Sequence, residues 1–239
     1  MTSNYEWSAA ILAQEYPNWR GIDAIIHSAL AAHLPQQGRV LDVGCGRSTP
    51  LPAVSTAGPM TVGTDISFDE LYHNRSLRAL VVADGASLPF ARDSFDVVFS
   101  KTAIEHMARP QQFFADVRAI LKPGGHFIWA TSNLESWPIL VSRLTPLAVH
   151  KAVYGLLFGK GLAIDQFPTY YRANTERTLT RLLTATGFHR VSLHRSSWPQ
   201  YFAFNRLAFR MMLPVHRLFD RLEWPVLQVH LVGVFQKAP

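Results

Sequence analysis

Residues 39–49 of the 239-residue chain read RVLDVGCGRST and join a short apolar strand to a glycine turn. The apolar residues on both sides of Asp42 form the continuous run that is typical of a strand buried in a parallel sheet. Gly44 and Gly46 follow at once, and glycine lets the main chain turn sharply and approach a ligand closely. The stretch therefore predicts the nucleotide-binding turn of a doubly wound α/β fold.

Two details of this turn restrict the class of ligand that it can bind. Thr49 occupies the position of the third glycine in the dinucleotide fingerprint, and the acid Asp42 lies in the strand that leads into the turn. A carboxylate there would repel a pyrophosphate and attract an ammonium group. We therefore expect a ligand that carries a positive charge.

Four later segments continue the pattern in order along the chain, namely 60–67, 81–86, 94–100 and 121–129. Together with residues 39–49 they resemble the motifs of the class I S-adenosylmethionine-dependent methyltransferases. The resemblance covers residues 36–135 well, is looser over 174–239 and is absent over about 136–173. It implies a doubly wound, seven-stranded, mostly parallel sheet of the Rossmann-like methyltransferase fold, with the last strand antiparallel and a helical lid insert.

The resemblance also implies a set of residues that bind S-adenosylmethionine. Asp42 would receive the methionine ammonium, and Asp65, 19 residues after Gly46, would hold both ribose hydroxyls. Asp84 would accept from the adenine amino group. The full set is Asp42, Gly44, Gly46, Asp65, Ile66, Asp84, Gly85, Ala86 and Lys101. Alternatively, the acids cap the helices or turns that follow them.

Residues 101–107 follow the fourth strand, at the edge of the sheet where such folds bind ligands. Methyl transfer from a sulfonium is an in-line displacement, in which the protein mainly supplies orientation and sometimes a base. His106 is the candidate base for a hydroxyl or phenol, since histidine exchanges protons near neutral pH; alternatively it packs under the cofactor. We interpret Glu105 as structural. The histidines and the single cysteine show no metal-ligand spacing, so no metal is expected.

Tyr170, Tyr171 and Arg172 end the segment that is foreign to the common sheet. Two phenols and a guanidinium can hold a substrate oxygen or carboxylate, or can instead anchor the loop. The sequence thus predicts one methyltransferase domain over 1–239. Its parts are N-terminal helices in 1–35, a cofactor-binding core in 36–135, a lid insert in 136–173, and a C-terminal helix and strands in 174–239. The last part contains an amphipathic insert at 198–224.

The helix boundaries follow from apolar spacing and breakers. Residues 5–34 form one or two helices with a break at Pro17, and 68–77, 110–121 and 175–186 are crossover helices. The insert at 198–224 interleaves arginines with large apolar residues, as a basic amphipathic helix does, with a break expected at Pro214.

Charge is unevenly distributed along the chain. Residues 1–139 contain 10 Lys or Arg and 13 Asp or Glu, whereas residues 140–239 contain 13 and 4. The basic half suits an acidic substrate, a nucleic acid or an anionic membrane. The chain has no motif for methylating an amino base and no RNA-binding appendage, which favours a small or lipid-like acceptor over nucleic acid. One cysteine and no long apolar run predict a cytoplasmic protein, with peripheral membrane contact left open.

The sequence therefore predicts S-adenosylmethionine-dependent methyl transfer to a small-molecule or lipid-like acceptor, at oxygen. Two alternatives stay open at this point. One is a nicotinamide-dependent oxidoreductase on a similar sheet, against which Asp42 and the absent third glycine argue. The other is a membrane-surface binding module that keeps a vestigial cofactor fold.

Overall fold

The computed structural model describes residues 4–51, 58–77, 79–144 and 167–238. They belong to two compact units, one built from 22–132, 169–194 and 231–239 and the other from 1–21, 133–168 and 195–230. The single domain and the lid over 136–173 stay predictions, and residues 145–166 of that lid lie outside the described part.

The first unit is built on a sheet whose strand order is β3-β2-β1-β4-β5-β7-β6. Strands β1 to β5 pair in parallel, and β7 runs antiparallel to β5. The predicted doubly wound, mostly parallel seven-stranded sheet with an antiparallel last strand is thus confirmed. The strands are β1 Arg39–Val43, β2 Met60–Asp65, β3 Ala79–Val82, β4 Phe95–Lys101, β5 Leu121–Ser132, β6 Phe188–Ser196 and β7 His230–Lys237.

Alternate residues of the central strands enter two separate apolar layers. Leu41 of β1 packs in a cluster with Phe113 and Phe127, whereas its neighbour Val40 packs in a second cluster with Ile26. Both layers are buried, the first being rich in aromatic residues and the second mostly aliphatic, as a parallel sheet covered on both faces requires. This double covering leaves the strand ends as the places where polar groups gather.

The helices follow the predicted order, but two expectations need correction, namely the end of the helix that begins at residue 68 and the break at Pro214. They are α1 Asn4–Glu15, α2 Ile22–His33, α3 Phe68–His73, α4 Pro110–Ile120, α5 Trp137–Leu144, α6 Glu176–Ala185 and α7 Arg206–Arg221. Helix α3 ends at His73 instead of residue 77, because Asn74 turns to an extended conformation and its side chain accepts the amides of Ser76 and Leu77. Short 3-10 turns lie at Ile104–His106, Pro199–Phe202 and Pro225–Leu227.

The second unit is organised around α1 and α7. Ile11 and Leu12 pack with Phe209 and Leu213 in its core. The expected break at Pro214 is wrong, since α7 runs through it. A proline removes one main-chain hydrogen bond, and Pro214 lies on an exposed face where water can reach the carbonyl left without a partner. Among the described residues, no helix has the length and hydropathy needed to cross a membrane.

Candidate cofactor and catalytic site

The glycine turn after β1 is fixed to the end of β2. Gly44 and Cys45 both donate main-chain hydrogen bonds to the Thr64 carbonyl, at 2.7 and 3.1 Å. Gly44 has a φ of 76°, and a Cβ atom there would lie 2.7 Å from the Cβ of Ala103. The turn therefore needs glycine at this position both for its backbone angles and for its close approach to the segment after β4.

Asp65 closes the turn from the end of β2. One carboxylate oxygen accepts the Gly46 amide at 3.0 Å, and the other accepts the Ser67 amide at 2.9 Å. These two bonds fix the plane of the carboxylate while leaving lone pairs on each oxygen for further donors. Ile66, which follows directly, has 60% of its surface exposed.

Asp42 is the most perturbed acid near this turn. Its side chain is only 2% exposed. Burial, and to a lesser degree the nearby Asp65, raise the pKa of Asp42 to about 7, against the opposing effects of a hydrogen bond from Thr49 and the charge of Lys101. A ligand cation placed near this buried carboxyl group would favour its ionised form.

Thr49 and Asn74 are supporting residues that the sequence did not reveal. Thr49 stands where the dinucleotide fingerprint has its third glycine, and its hydroxyl hydrogen-bonds Asp42 and accepts the Leu51 amide at 3.2 Å. The buried Asn74 donates to the Gly46 carbonyl at 2.8 Å. A hydroxyl residue just after the glycine turn could have indicated the role of Thr49, whereas nothing in the sequence indicates the role of Asn74.

Cys45 lies inside the turn but faces away from solvent. It packs with Leu71 and Leu77, and burial raises the pKa of the thiol to about 12. A thiol in this state is a weak nucleophile, and Cys45 is a small residue that packs in the core beside the turn.

The loop after β3 carries Asp84, Gly85 and Ala86. The exposed Asp84 accepts the Ala86 amide at 2.9 Å within its own turn, so that amide is already bonded. A Cβ atom at Gly85 would lie 2.6 Å from Cε of Met107. The Ala83 amide, just before the loop, donates to the Asp65 carbonyl at 3.0 Å and links the loop to the end of β2.

Lys101, at the end of β4, is held by an acid of α2. Its Nζ atom lies 2.7 Å from Oδ1 of Asp23, and both side chains are partly exposed. Contact of Lys101 with a cofactor therefore competes with this ion pair.

His106 closes the 3-10 turn after β4, and its amide donates to the Ala103 carbonyl at 3.0 Å. Its neighbour Glu105 is buried and accepts the hydroxyls of Thr131 at 2.6 Å and Ser132 at 3.1 Å. Asn174 in turn donates to the Thr131 hydroxyl at 2.8 Å. This buried network supports the structural interpretation of Glu105 and fixes the turn that carries His106.

The three residues from the end of the foreign segment lie against the same turn. The amides of Tyr170 and Tyr171 donate to the Glu105 carbonyl at 2.8 and 3.2 Å. The Arg172 guanidinium donates to the Ala108 carbonyl at 2.7 Å and stands 5.7 Å from the centre of the Tyr170 ring. Residues some 64 positions apart in sequence are thus joined next to His106. No group of side chains suited to a metal occurs in the described residues.

Comparison with known proteins finds similarity to methyltransferases. Residues 41–129 match the family model described as the methyltransferase domain. The chain is 35% identical over 109 residues to a 24-methylenesterol C-methyltransferase of Oryza sativa subsp. japonica, covering 40% of this chain and 30% of that protein. It is 29% identical to a demethylmenaquinone methyltransferase of Clavibacter sepedonicus, covering 67% and 74%. It is 33% identical to a ubiquinone biosynthesis O-methyltransferase of Cereibacter sphaeroides, covering 44% and 45%.

The chain thus spans less than two thirds of several of the relatives that it matches, and only 30% of the sterol enzyme. Among solved structures, an S-adenosylmethionine dependent methyltransferase from Mesorhizobium loti aligns with 88% of this chain and 96% of its own, at a TM-score of 0.55 and 21% identity. The (4+2)-cyclase SpnF aligns with 90% of this chain and 80% of its own, at a TM-score of 0.57 and 17% identity. At such identities the shared property is the fold.

Proposed function

We propose that this chain, whose residues 41–129 belong to the class I S-adenosylmethionine-dependent methyltransferases, transfers a methyl group from S-adenosylmethionine to a small-molecule acceptor. The observation that carries the proposal is the pair of carboxylates beside one glycine turn, Asp42 at the end of β1 and Asp65 at the end of β2. A cyclase shares the fold, so the reaction has to be argued from such site residues.

The residues present suit the chemistry of this cofactor. The raised pKa of the buried Asp42 identifies a carboxyl group that a ligand ammonium would stabilise in its ionised form. The same carboxylate would be repelled by the pyrophosphate of a nicotinamide cofactor, which counts against the oxidoreductase alternative. Asp65 retains lone pairs for the two ribose hydroxyls, and the exposed Ile66 offers an apolar surface to the adenine ring.

When bound, S-adenosylmethionine would supply a methyl group on a positively charged sulfur. The protein's own contribution is then orientation and proton removal. We assign His106 to take the proton of an acceptor hydroxyl, and Tyr170 and Arg172 to hold the acceptor. The contacts of residues 170–172 with Glu105 and Ala108 support this assignment, since they join the acceptor residues to the turn of the base.

We propose an amphiphilic acceptor that is methylated at oxygen. The names of the relatives support the acceptor class, because they include enzymes of menaquinone, ubiquinone and sterol chemistry. Those names cover both oxygen and carbon as the attacked atom, so the oxygen assignment rests on His106. A cytoplasmic or membrane-peripheral location, and the exclusion of nucleic acid, stay predictions.

The first test is cofactor binding by calorimetry with S-adenosylhomocysteine. Asp65→Ala removes two charge-assisted hydrogen bonds, each worth roughly 1.5–3 kcal/mol, and should weaken binding at least about tenfold. Asp116→Ala, which removes an acid of α4 whose partner is Gln112, is the matched control and should bind like the parent chain. Equal affinities for the parent and Asp65→Ala would contradict the assignment.

The second test is methyl transfer to a panel of a naphthoquinol, a catechol and a sterol, with the products identified by mass spectrometry. His106→Ala should lower the turnover of a hydroxyl acceptor by about 10²-fold or more without changing affinity for S-adenosylhomocysteine. Normal turnover by this variant would remove His106 from the chemistry. A product methylated at carbon would overturn the oxygen assignment while leaving the cofactor site intact.

A further inference from the structure

Helix α7 divides into three faces, the first of which is buried. Phe209, Leu213 and His216 are at most 1% exposed, and Asp220 lies on the same side. Successive residues of an α-helix are about 100° apart, so these four positions occupy an arc of about 60°. Asp220, the one acid of α7, accepts the Tyr16 hydroxyl at 2.9 Å and the Ser197 hydroxyl at 3.0 Å, and is therefore directed inward.

The second face is apolar but exposed. Its members recur at helical spacing within an arc of about 80° and run for about 22 Å along the helix. They are Leu207 at 70% exposure, Met211 at 68%, Val215 at 37%, Leu218 at 53% and Leu222 at 52%. Phe204 before the helix and Trp224 after it are also more than half exposed. We call Leu207, Met211, Val215, Leu218 and the C-cap residue Leu222 the apolar stripe. Large contiguous apolar surface of this kind marks an interaction site.

The third face is a row of arginines between the buried face and the apolar stripe. Arg206, Arg210, Arg217 and Arg221 occupy an arc of about 60°. Arg210 pairs with Glu15 at 2.7 Å, and Arg217 stands 5.2 Å from the centre of the Tyr16 ring. Arg206 and Arg221 form no ion pair with any described residue. The edge of the apolar stripe is therefore positively charged.

We propose that α7 docks in the plane of an anionic lipid surface, with the apolar stripe at the boundary between headgroups and acyl chains. An amphipathic helix with an apolar face and arginines along its polar edge binds such surfaces. The guanidinium groups would contact lipid phosphates while their alkyl chains lie along the apolar layer. The local charge is thus complementary to anionic headgroups.

A second copy of the chain fits this face less well. An isologous contact would bury the same arginine-edged face on both copies. The exposed side of α7 offers no acid to balance it, since Asp220 is directed inward. Glu223, just beyond the helix, already contacts Arg195 at 3.4 Å. The proposal is independent of methyl transfer, so the failure of one leaves the other standing.

The experiment is co-sedimentation of the full chain with vesicles of phosphatidylglycerol and phosphatidylcholine, compared with phosphatidylcholine alone. We expect at least about tenfold stronger partitioning onto the anionic vesicles, falling severalfold as salt rises from about 0.05 to about 0.5 M. Equal binding to both vesicle types, or no binding to either, would overturn the proposal.

Variants on each face then identify the surface. Leu207→Asp with Leu218→Asp should abolish partitioning, whereas Val191→Asp, at another exposed apolar position on β6, should not. Arg206→Glu with Arg221→Glu should lose the preference for anionic vesicles, and Arg92→Glu with Arg177→Glu matches the net charge elsewhere. Circular dichroism checks that each variant is folded. Parent-like binding of both α7 variants, or a dimer by ultracentrifugation that Leu218→Asp dissociates, would count against a lipid partner.

Discussion

Replacing Asp42 by asparagine should make the free protein more stable and cofactor binding weaker. The carboxyl group is buried, and its pKa is raised to about 7 from an ordinary 3.8. In the unfolded chain this group is ionised above about pH 4, so folding between pH 4 and 7 requires it to take up a proton or be buried with its charge. Asparagine keeps the shape and an acceptor for the Thr49 hydroxyl without any charge.

The size of the effect follows from the pKa difference. Each pKa unit corresponds to about 1.4 kcal/mol, so ionised Asp42 costs roughly 4 kcal/mol of unfolding free energy at pH 8. The stability that neutral Asp42 supplies is fully present below about pH 4 and is lost as pH rises through about 7. The advantage of Asp42→Asn should thus be roughly 4 kcal/mol at pH 8 and less than half of that at pH 5.

Urea unfolding of both proteins at pH 5 and pH 8 measures this advantage. Calorimetry with S-adenosylhomocysteine gives a second measurement, because the ionised fraction of Asp42 falls roughly twentyfold from pH 7.5 to 5.5 and the apparent affinity should fall with it. The Asn variant should bind weakly at both values. Equal stabilities of the two proteins at pH 8, or an affinity of the parent chain that ignores pH, would refute the reasoning.

Two further substitutions test the backbone turn and the buried network. Gly44→Ala should lower the unfolding free energy, measured by thermal unfolding, by about 2–3 kcal/mol and should impair cofactor binding, because its Cβ would lie 2.7 Å from Ala103. Gly124→Ala is the control, since Gly124 has a similar φ but nothing within 4 Å, and it should cost only about 1 kcal/mol. Glu105→Gln weakens the buried hydrogen bonds from Thr131 and Ser132, so it should lower the unfolding free energy, measured in urea, by about 1–3 kcal/mol. It should also increase proteolysis near residue 170 while leaving S-adenosylhomocysteine affinity unchanged. Unaltered proteolysis would argue that Glu105 does not hold that loop.

The sheet could be predicted because its evidence is local. A buried parallel strand needs a continuous apolar run, and the sharp turn after it needs glycine, so residues 39–49 carry both signals within one stretch. The end of α3 could not be predicted in the same way. Its apolar spacing continues past His73, but the side chain of Asn74 bonds to the following amides and to the Gly46 carbonyl, which lies 28 positions earlier.

In the candidate site, too, the residues that follow from local sequence spacing could be predicted and the contacts between distant segments could not. Asp42 and Asp65 stand at fixed spacing from the glycines, and both lie beside the turn. Other contacts of the site depend on how separate elements pack, and the spacing of residues along the sequence does not predict such packing. Examples are the ion pair of Lys101 with Asp23 and the hydrogen bond from the Tyr170 amide to the Glu105 carbonyl. Thr49 is a third case, because its position in the motif indicates only that a glycine is absent, whereas its hydroxyl hydrogen-bonds Asp42 and favours the ionised form of that carboxyl group.

Asp42 and the apolar stripe share one physical property, although they belong to different units. In each case the side chain lies in unfavourable surroundings, because the carboxyl group of Asp42 is buried and the leucines of the stripe are exposed to water. A partner of the opposite character removes that penalty and stabilises the folded chain by mass action, as RT ln(1 + [L]/Kd). A cationic ligand has the opposite character to Asp42, and an anionic lipid surface has the opposite character to the arginine-edged apolar stripe. Thermal shifts in S-adenosylhomocysteine and in anionic vesicles should therefore be abolished separately, the first by Asp42→Asn and the second by Leu207→Asp with Leu218→Asp.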